Sequence, residues 1–110
     1  MTTMDENGNI HHIAGDTFDL NLVDIKEDDV AINWTGWKHE LKVFSAAGKA
    51  TLLTFSETSG IDITIPGALR FKKLPAEITL TAGQFYYDWV ATRPDGTVET
   101  WFNNKLFFVE

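Results

Sequence analysis

Cysteine is absent from this 110-residue chain. That excludes disulfide staples and thiolate chemistry, so stability has to come from packing. Cations are few, with 9 Lys and Arg against 16 Asp and Glu for a formal charge of -7. A surface of that sign repels phosphate backbones, and the sole local basic cluster is Arg70, Lys72 and Lys73, so nucleic acid is not expected as a partner. Long apolar runs are missing too; none approaches the roughly 18 residues that cross a bilayer, and no basic, apolar and small-residue series follows Met1 as a secretion signal would. Synthesis is therefore expected to end in the cytoplasm, with no membrane partner. Apolar residues at helical spacing over ten or more positions are also lacking, which removes the crossover helices of parallel βαβ folds.

What is abundant is aromatic and β-branched sequence. Hydrophobic residues make up 44% of the chain and aromatic residues 13%, ample for one core, and roughly 100 to 150 residues is the usual size of a single domain. Gly83 to Phe102 gives the clearest signal: two aromatic-rich arms flank Pro94-Asp95-Gly96, which predicts a β-hairpin. On its first arm, alternation puts Phe85, Tyr87, Trp89 and Ala91 on one apolar face. Such a face needs a second sheet to cover it.

The rest of the chain reads as more short strands. Residues 1–9 are polar, without periodicity, and are expected as a flexible lead-in to a single domain over 10–110. A short edge strand is expected over Asn9 to Ile13. In Thr17 to Val23, Phe18, Leu20 and Leu22 face inward. Asp24 to Asn33 is too acidic for a core strand and reads as an exposed loop. After Trp34-Thr35-Gly36-Trp37, a strand carries Trp37, His39, Leu41 and Val43 on its inner face. Ala46 to Lys49 predicts a turn, and Ala50 to Phe55 a returning strand. Gly60 to Ile65 predicts a strand with three inward isoleucines that stops at Pro66-Gly67. Another strand is expected over Leu69 to Leu74, a single helical turn at Pro75-Ala76-Glu77, and a last run interrupted at Asn103-Asn104-Lys105 that resumes over Leu106 to Val109. These amount to an all-β, antiparallel two-sheet sandwich of about seven to nine short strands, with a small barrel as its competitor.

Chemistry is sparse. His11 and His12 are neighbours, so a strand points them to opposite faces and they cannot share a metal in regular geometry; His39 stands alone. Asp24, Glu27, Asp28 and Asp29 offer hard oxygens to calcium but lack the spacing, central glycine and distal glutamate of an EF-hand. Ser45, Ser56 and Ser59 lie in no nucleophile-elbow pattern. No catalytic residue, metal or cofactor is expected. Four tryptophans are many for this length, and Trp34, Trp37 and Trp101 are the candidate contacts for a protein partner or for a stacked sugar ring.

Taken together, Gly15-Asp16-Thr17-Phe18, Trp34-Thr35-Gly36-Trp37 before a charged strand, Gly83-x-Phe85-x-Tyr87-Asp88-Trp89 and Pro94-Asp95-Gly96-Thr97-Val98 form a pattern. It resembles the small immunoglobulin-like domains encoded by tailed phages and prophages, including the N-terminal domain of baseplate upper proteins. The likeness covers about Ile10 to Val109, with Phe85 where the family tends to have Tyr and Asn104 where it has Gly. It implies an immunoglobulin-like sandwich acting as a noncatalytic structural or adaptor protein of a phage tail or baseplate. Its expected partners are other virion proteins or further copies of itself, and its expected location is the virion. The alternative expectation is a carbohydrate-binding module for a host-surface glycan.

Overall fold

The computed structural model describes residues 1–45 and 50–110, so the turn expected over Ala46 to Lys49 lies outside the described residues. Eleven strands occur among them: β1 (Thr2–Met4), β2 (Ile10–His12), β3 (Phe18–Leu22), β4 (Lys26–Glu27), β5 (Val30–Ala31), β6 (Lys38–Phe44), β7 (Thr51–Ser56), β8 (Ile61–Asp62), β9 (Leu69–Lys73), β10 (Gly83–Thr92) and β11 (Val98–Val109). The one helical element among the described residues is a single 3₁₀ turn at Pro75–Glu77, as Pro75 predicts, closed by the Glu77 carboxylate accepting the Leu74 N–H at 2.9 Å. No helix among the described residues is long and apolar enough to cross a membrane.

Six strands form one sheet in the order β1-β2-β11-β10-β6-β7, three form a second in the order β3-β9-β8, and β4 and β5 make a separate ribbon. Between the two sheets lies the core. It takes Tyr87, Trp89 and Ala91 from β10, His39, Leu41 and Val43 from β6, Leu53 and Phe55 from β7, Phe18 and Leu20 from β3, and Leu69 and Phe71 from β9. Period-2 alternation accounts for nearly all of these, because each strand has one face on the opposite sheet and one in water. The rings interlock across the gap: Phe71 meets Trp89 edge-on at 5.1 Å, and Phe18 lies 4.8 Å from Phe55.

Several expectations are corrected. Residues 1–9 are not merely a lead-in. Thr2–Met4 pairs antiparallel with β2, the Asp5 carboxylate takes the backbone N–H of Asn7 and of Asn9, and the buried Tyr87 hydroxyl donates to the Gly8 carbonyl. Gly8 has φ +83°, and a Cβ there would meet the Phe102 ring at 2.7 Å, so only glycine lets the arm lie this close. β2 is consequently not an edge strand. It runs between β1 and β11, parallel to the latter, so the large sheet is mixed rather than wholly antiparallel.

Asn103-Asn104-Lys105 does not interrupt β11, which continues for 12 residues. Asn104 instead adopts φ 55° and gives its N–H to the Asp88 carboxylate at 2.6 Å, so the extra residues leave as a bulge opposite Tyr87 to Trp89. In the Gly60 to Ile65 run, only Ile61–Asp62 is strand. The Asp62 carboxylate accepts both the backbone N–H and the hydroxyl of Thr64, which bends the chain away and leaves Ile65 exposed.

Candidate functional site

Three connections meet at one end of the sandwich: residues 23–37 between β3 and β6, 63–68 between β8 and β9, and 93–97 between β10 and β11. Backbone bonds lock the first two together, with Ile25 N–H donating to the Gly67 carbonyl at 2.9 Å and Gly67 N–H to the Ile32 carbonyl at 2.8 Å. The Trp34 indole N–H donates to the Ala68 carbonyl at 3.1 Å. The first and third connections meet where Gly36, at φ +82°, lies against Pro94; a Cβ there would come within 3.1 Å of the proline ring. The acidic segment expected as a loop is therefore an exposed ribbon, β4 and β5, turned over Asp28 and Asp29. Both have positive φ, the geometry of a two-residue hairpin turn.

Beneath this end the chain's four tryptophans surround one imidazole. His39 has Trp34 at 4.8 Å, Trp101 at 5.3 Å, and Trp37 and Trp89 each at 5.9 Å between ring centroids. Nδ1 of His39 accepts the Trp89 indole N–H at 3.2 Å, which assigns the ring proton to Nε2, a buried atom without a hydrogen-bond partner. Burial in this aromatic box lowers the His39 pKa from 6.5 to about 4, against a small opposing pull from the Glu57 carboxylate. The imidazole is neutral at physiological pH and acts as packing.

Arg93 closes the box. Its guanidinium lies 4.8 Å from the Trp37 ring centre. Its Nε donates to Glu99 at 3.0 Å, while Nη1 donates to Glu27 at 3.2 Å and Nη2 to the other Glu27 oxygen. Glu99 in turn accepts the Trp101 indole N–H at 3.2 Å. The two carboxylates, Glu27 first, hold the Arg93 pKa above its ordinary value, and the Glu27 carboxyl is correspondingly lowered by Arg93. One cation thus ties the β4–β5 ribbon and β11 to the tryptophan cluster.

The bulge explains why Trp101 belongs to that cluster. Register shifts on either side of Trp89 leave Trp101 and Phe102 both against its ring, at 5.2 and 5.7 Å.

The three candidate contact residues are therefore brought together, but not as an open surface. Trp34 is 1% exposed and Trp37 6%, a correction to their role as surface anchors: neither presents an indole face on which a sugar could stack. Trp101 is partly buried against the same core. Trp37 is buried because it continues the inward alternation of β6, whereas Trp34, an odd number of positions away, is turned inward by the tight turn that the Trp37 N–H closes on the Trp34 carbonyl at 3.0 Å, with Gly36 at positive φ. Arg93 belongs to no sequence motif that marks it as a site residue, although its place just before Pro94-Asp95-Gly96 puts it at the hairpin tip.

Above this floor the surface is apolar with an acidic fringe. Val23, Val30 and Ile65 are about two-thirds exposed, at 66%, 67% and 64%. Between the ribbon and the 93–97 turn runs an open groove of about 470 Å³, lined by Val30, Ile32, Trp37, Arg93, Pro94 and Asp95. Asp24, Asp28 and Asp29, on the same connection as Val30, are exposed. The Glu27 carboxylate, one of the hard oxygens offered to calcium by the sequence, is taken by Arg93, and among the described residues no three His, Asp or Glu side chains gather as a metal would need.

The other imidazoles lie elsewhere and on opposite faces, as their adjacency predicts. His12 is buried with Nδ1 2.8 Å from the Thr2 hydroxyl, and His11 is on the surface, stacked on Phe108 at 4.9 Å. The chain matches no family model and no curated protein.

Proposed function

We propose that this domain is a noncatalytic structural or adaptor module of a phage or prophage particle, of the tail or baseplate type, and that it works by protein contact through the loop end. The observation that carries the contact reading is the combination at that end. Three connections are bonded into one platform over a packed tryptophan floor, while Val23, Val30 and Ile65 are left in water. A pre-ordered apolar platform loses little conformational entropy on docking, which is what a structural contact needs.

An immunoglobulin-like arrangement is supported by the strand order. β2-β11-β10-β6-β7 facing β3-β9-β8 corresponds to one sheet of A′GFCC′ type against one of BED type, with the A′ strand parallel to the last strand. The phage setting rests on the sequence motifs quoted above. The glycan reading loses its support with the burial of Trp34 and Trp37, since stacking requires an open ring face.

The test uses the purified chain and the tail or baseplate proteins encoded beside its gene. Size-exclusion chromatography with light scattering is expected to show a complex with one of them, and Val30→Asp combined with Ile65→Asp is expected to abolish it while leaving the melting temperature within a few degrees of the parent. If no neighbouring product binds, or if the double variant binds as well as the parent, the reading is wrong.

A further inference from the structure

Asparagine is followed by glycine at a single place in this chain, Asn7-Gly8. Glycine has no side chain to shield its amide nitrogen, so that nitrogen can attack the neighbouring carboxamide wherever the backbone is free to turn. The reaction needs only water. The Gly8 nitrogen bonds to Cγ of Asn7, ammonia leaves with the side-chain nitrogen and the Gly8 amide proton, and a cyclic imide closes. Water then opens the ring at either carbonyl, which gives aspartate or isoaspartate.

The fold treats the two reacting residues differently. Asn7 is exposed, so water has access to it, whereas Gly8 is buried. The Gly8 N–H donates to the Asp5 carbonyl at 3.0 Å, closing a turn over Glu6 and Asn7, and the Gly8 carbonyl accepts the Tyr87 hydroxyl. The Asp5 carboxylate braces the same turn, taking the N–H of Asn7 at 2.9 Å and of Asn9 at 3.0 Å. A nitrogen whose proton is held by a carbonyl is a poor nucleophile. With φ at +83° and the Phe102 ring 2.7 Å from where a Cβ would stand, Gly8 also has no slack to swing its nitrogen towards Cγ.

We infer that Asn7 is a covalent modification site gated by the N-terminal arm. Its carboxamide is converted to aspartate or isoaspartate, by the Gly8 nitrogen and water, in molecules whose arm has left Tyr87. Local opening sets the rate, so the closed arm protects the amide.

The isoaspartate product makes the opening one-way. It places an extra backbone carbon between positions 7 and 8, inside a connection whose two ends are fixed: Met4 pairs with Ile10 across β1 and β2, and Gly8 lies on Phe102. The lengthened turn cannot keep the Asp5 carbonyl on the Gly8 N–H and the Tyr87 hydroxyl on the Gly8 carbonyl at once. Either product also adds a carboxylate next to Asp5 and Glu6, in a chain whose charge is already -7. The site uses none of the residues of the contact proposed at the loop end, so it stands or falls separately from that reading.

The test holds the purified chain in mildly alkaline buffer and follows Asn7 by peptide mass spectrometry, with isoaspartate and aspartate separated by chromatography. The chain unfolded in guanidinium chloride is expected to lose the Asn7 amide at least about tenfold faster than the folded chain. Folded Tyr87→Phe, which frees the Gly8 carbonyl, is expected to lose it several-fold faster than the parent. Asn7→Gln, whose longer side chain closes a ring far more slowly, is expected to keep its amide and the parent melting temperature. The isoaspartate fraction is expected to bind more hydrophobic dye and to exchange the amides of Thr2–Met4 several-fold faster than the unmodified protein. If Tyr87→Phe does not fold, the comparison of folded with unfolded parent decides the matter alone. Equal rates in the folded and unfolded chain, no reaction at Asn7 even when unfolded, an unchanged rate in folded Tyr87→Phe, or an isoaspartate form as protected as the parent overturns the inference.

Discussion

His39 is the residue whose environment is most at odds with its chemistry. In an unfolded chain its imidazole takes a proton as the pH falls through 6.5; in the fold it resists until about 4. Between those values the unfolded state binds the extra proton, so stability is complete above the unfolded value and declines as the medium is acidified towards the folded one. The loss over that window is on the order of 3 kcal/mol. His12, also lowered mainly by burial, acts with the same sign. His39→Gln keeps an acceptor for the Trp89 indole but cannot titrate. Urea unfolding measured from neutral pH down to pH about 4 is expected to show a flatter acid limb for this variant than for the parent. An unchanged slope would mean that the imidazole is hydrated in solution. The inward direction of His39 was legible from the alternation of Trp37, His39, Leu41 and Val43. Its enclosure by tryptophans from three separate segments was not, because that depends on how distant strands face each other.

At the scale of elements, the bulge in β11 and the N-terminal arm are the features that a residue pattern alone conceals. Asn103-Asn104-Lys105 looks like a break because two polar amides interrupt an apolar run. The hydrogen bond from Asn104 to Asp88 on the partner strand makes it a bulge instead. Since Asn104 holds φ 55°, Asn104→Gly is expected to change stability by less than about 0.5 kcal/mol, whereas the β-branched Asn104→Val should cost about 1 to 2 kcal/mol in chemical unfolding. Loss of the bulge should also release Trp101 from Trp89, visible as a red shift of tryptophan emission in the valine variant alone.

The hairpin, the inner faces of β3, β6, β7 and β9, and the proline-led 3₁₀ turn were all legible, because each follows from a period or a turn residue within a few positions. The arm was not. Thr2–Met4 has no pattern of its own and becomes a strand only because β2 supplies a ladder and Tyr87, 79 positions from Gly8, supplies a hydroxyl.

For the whole molecule, the arm works as a clasp. β1 extends the large sheet and, through the Thr2 hydroxyl, reaches the small one, so a single short segment shuts the seam that would otherwise expose Ile10, His12 and Phe18. Removing residues 1–8 is expected to lower stability by about 2 to 4 kcal/mol, and the melting temperature by roughly 10 °C or more, with increased binding of a hydrophobic dye. Tyr87→Phe, which breaks a single tether of the clasp, should cost about 1 kcal/mol and should speed amide exchange in Thr2–Met4 more than in β10. If truncation leaves the melting curve in place, the clasp is decorative.

The grouping of every indole in the chain around His39 also has an optical consequence. With ring centres about 5 to 6 Å apart, the fluorophores exchange excitation among themselves and emit as one. Tryptophan fluorescence therefore watches the loop pole of this protein, and it would register a loosening clasp through the Gly8 end, which lies on the Phe102 ring beside Trp89.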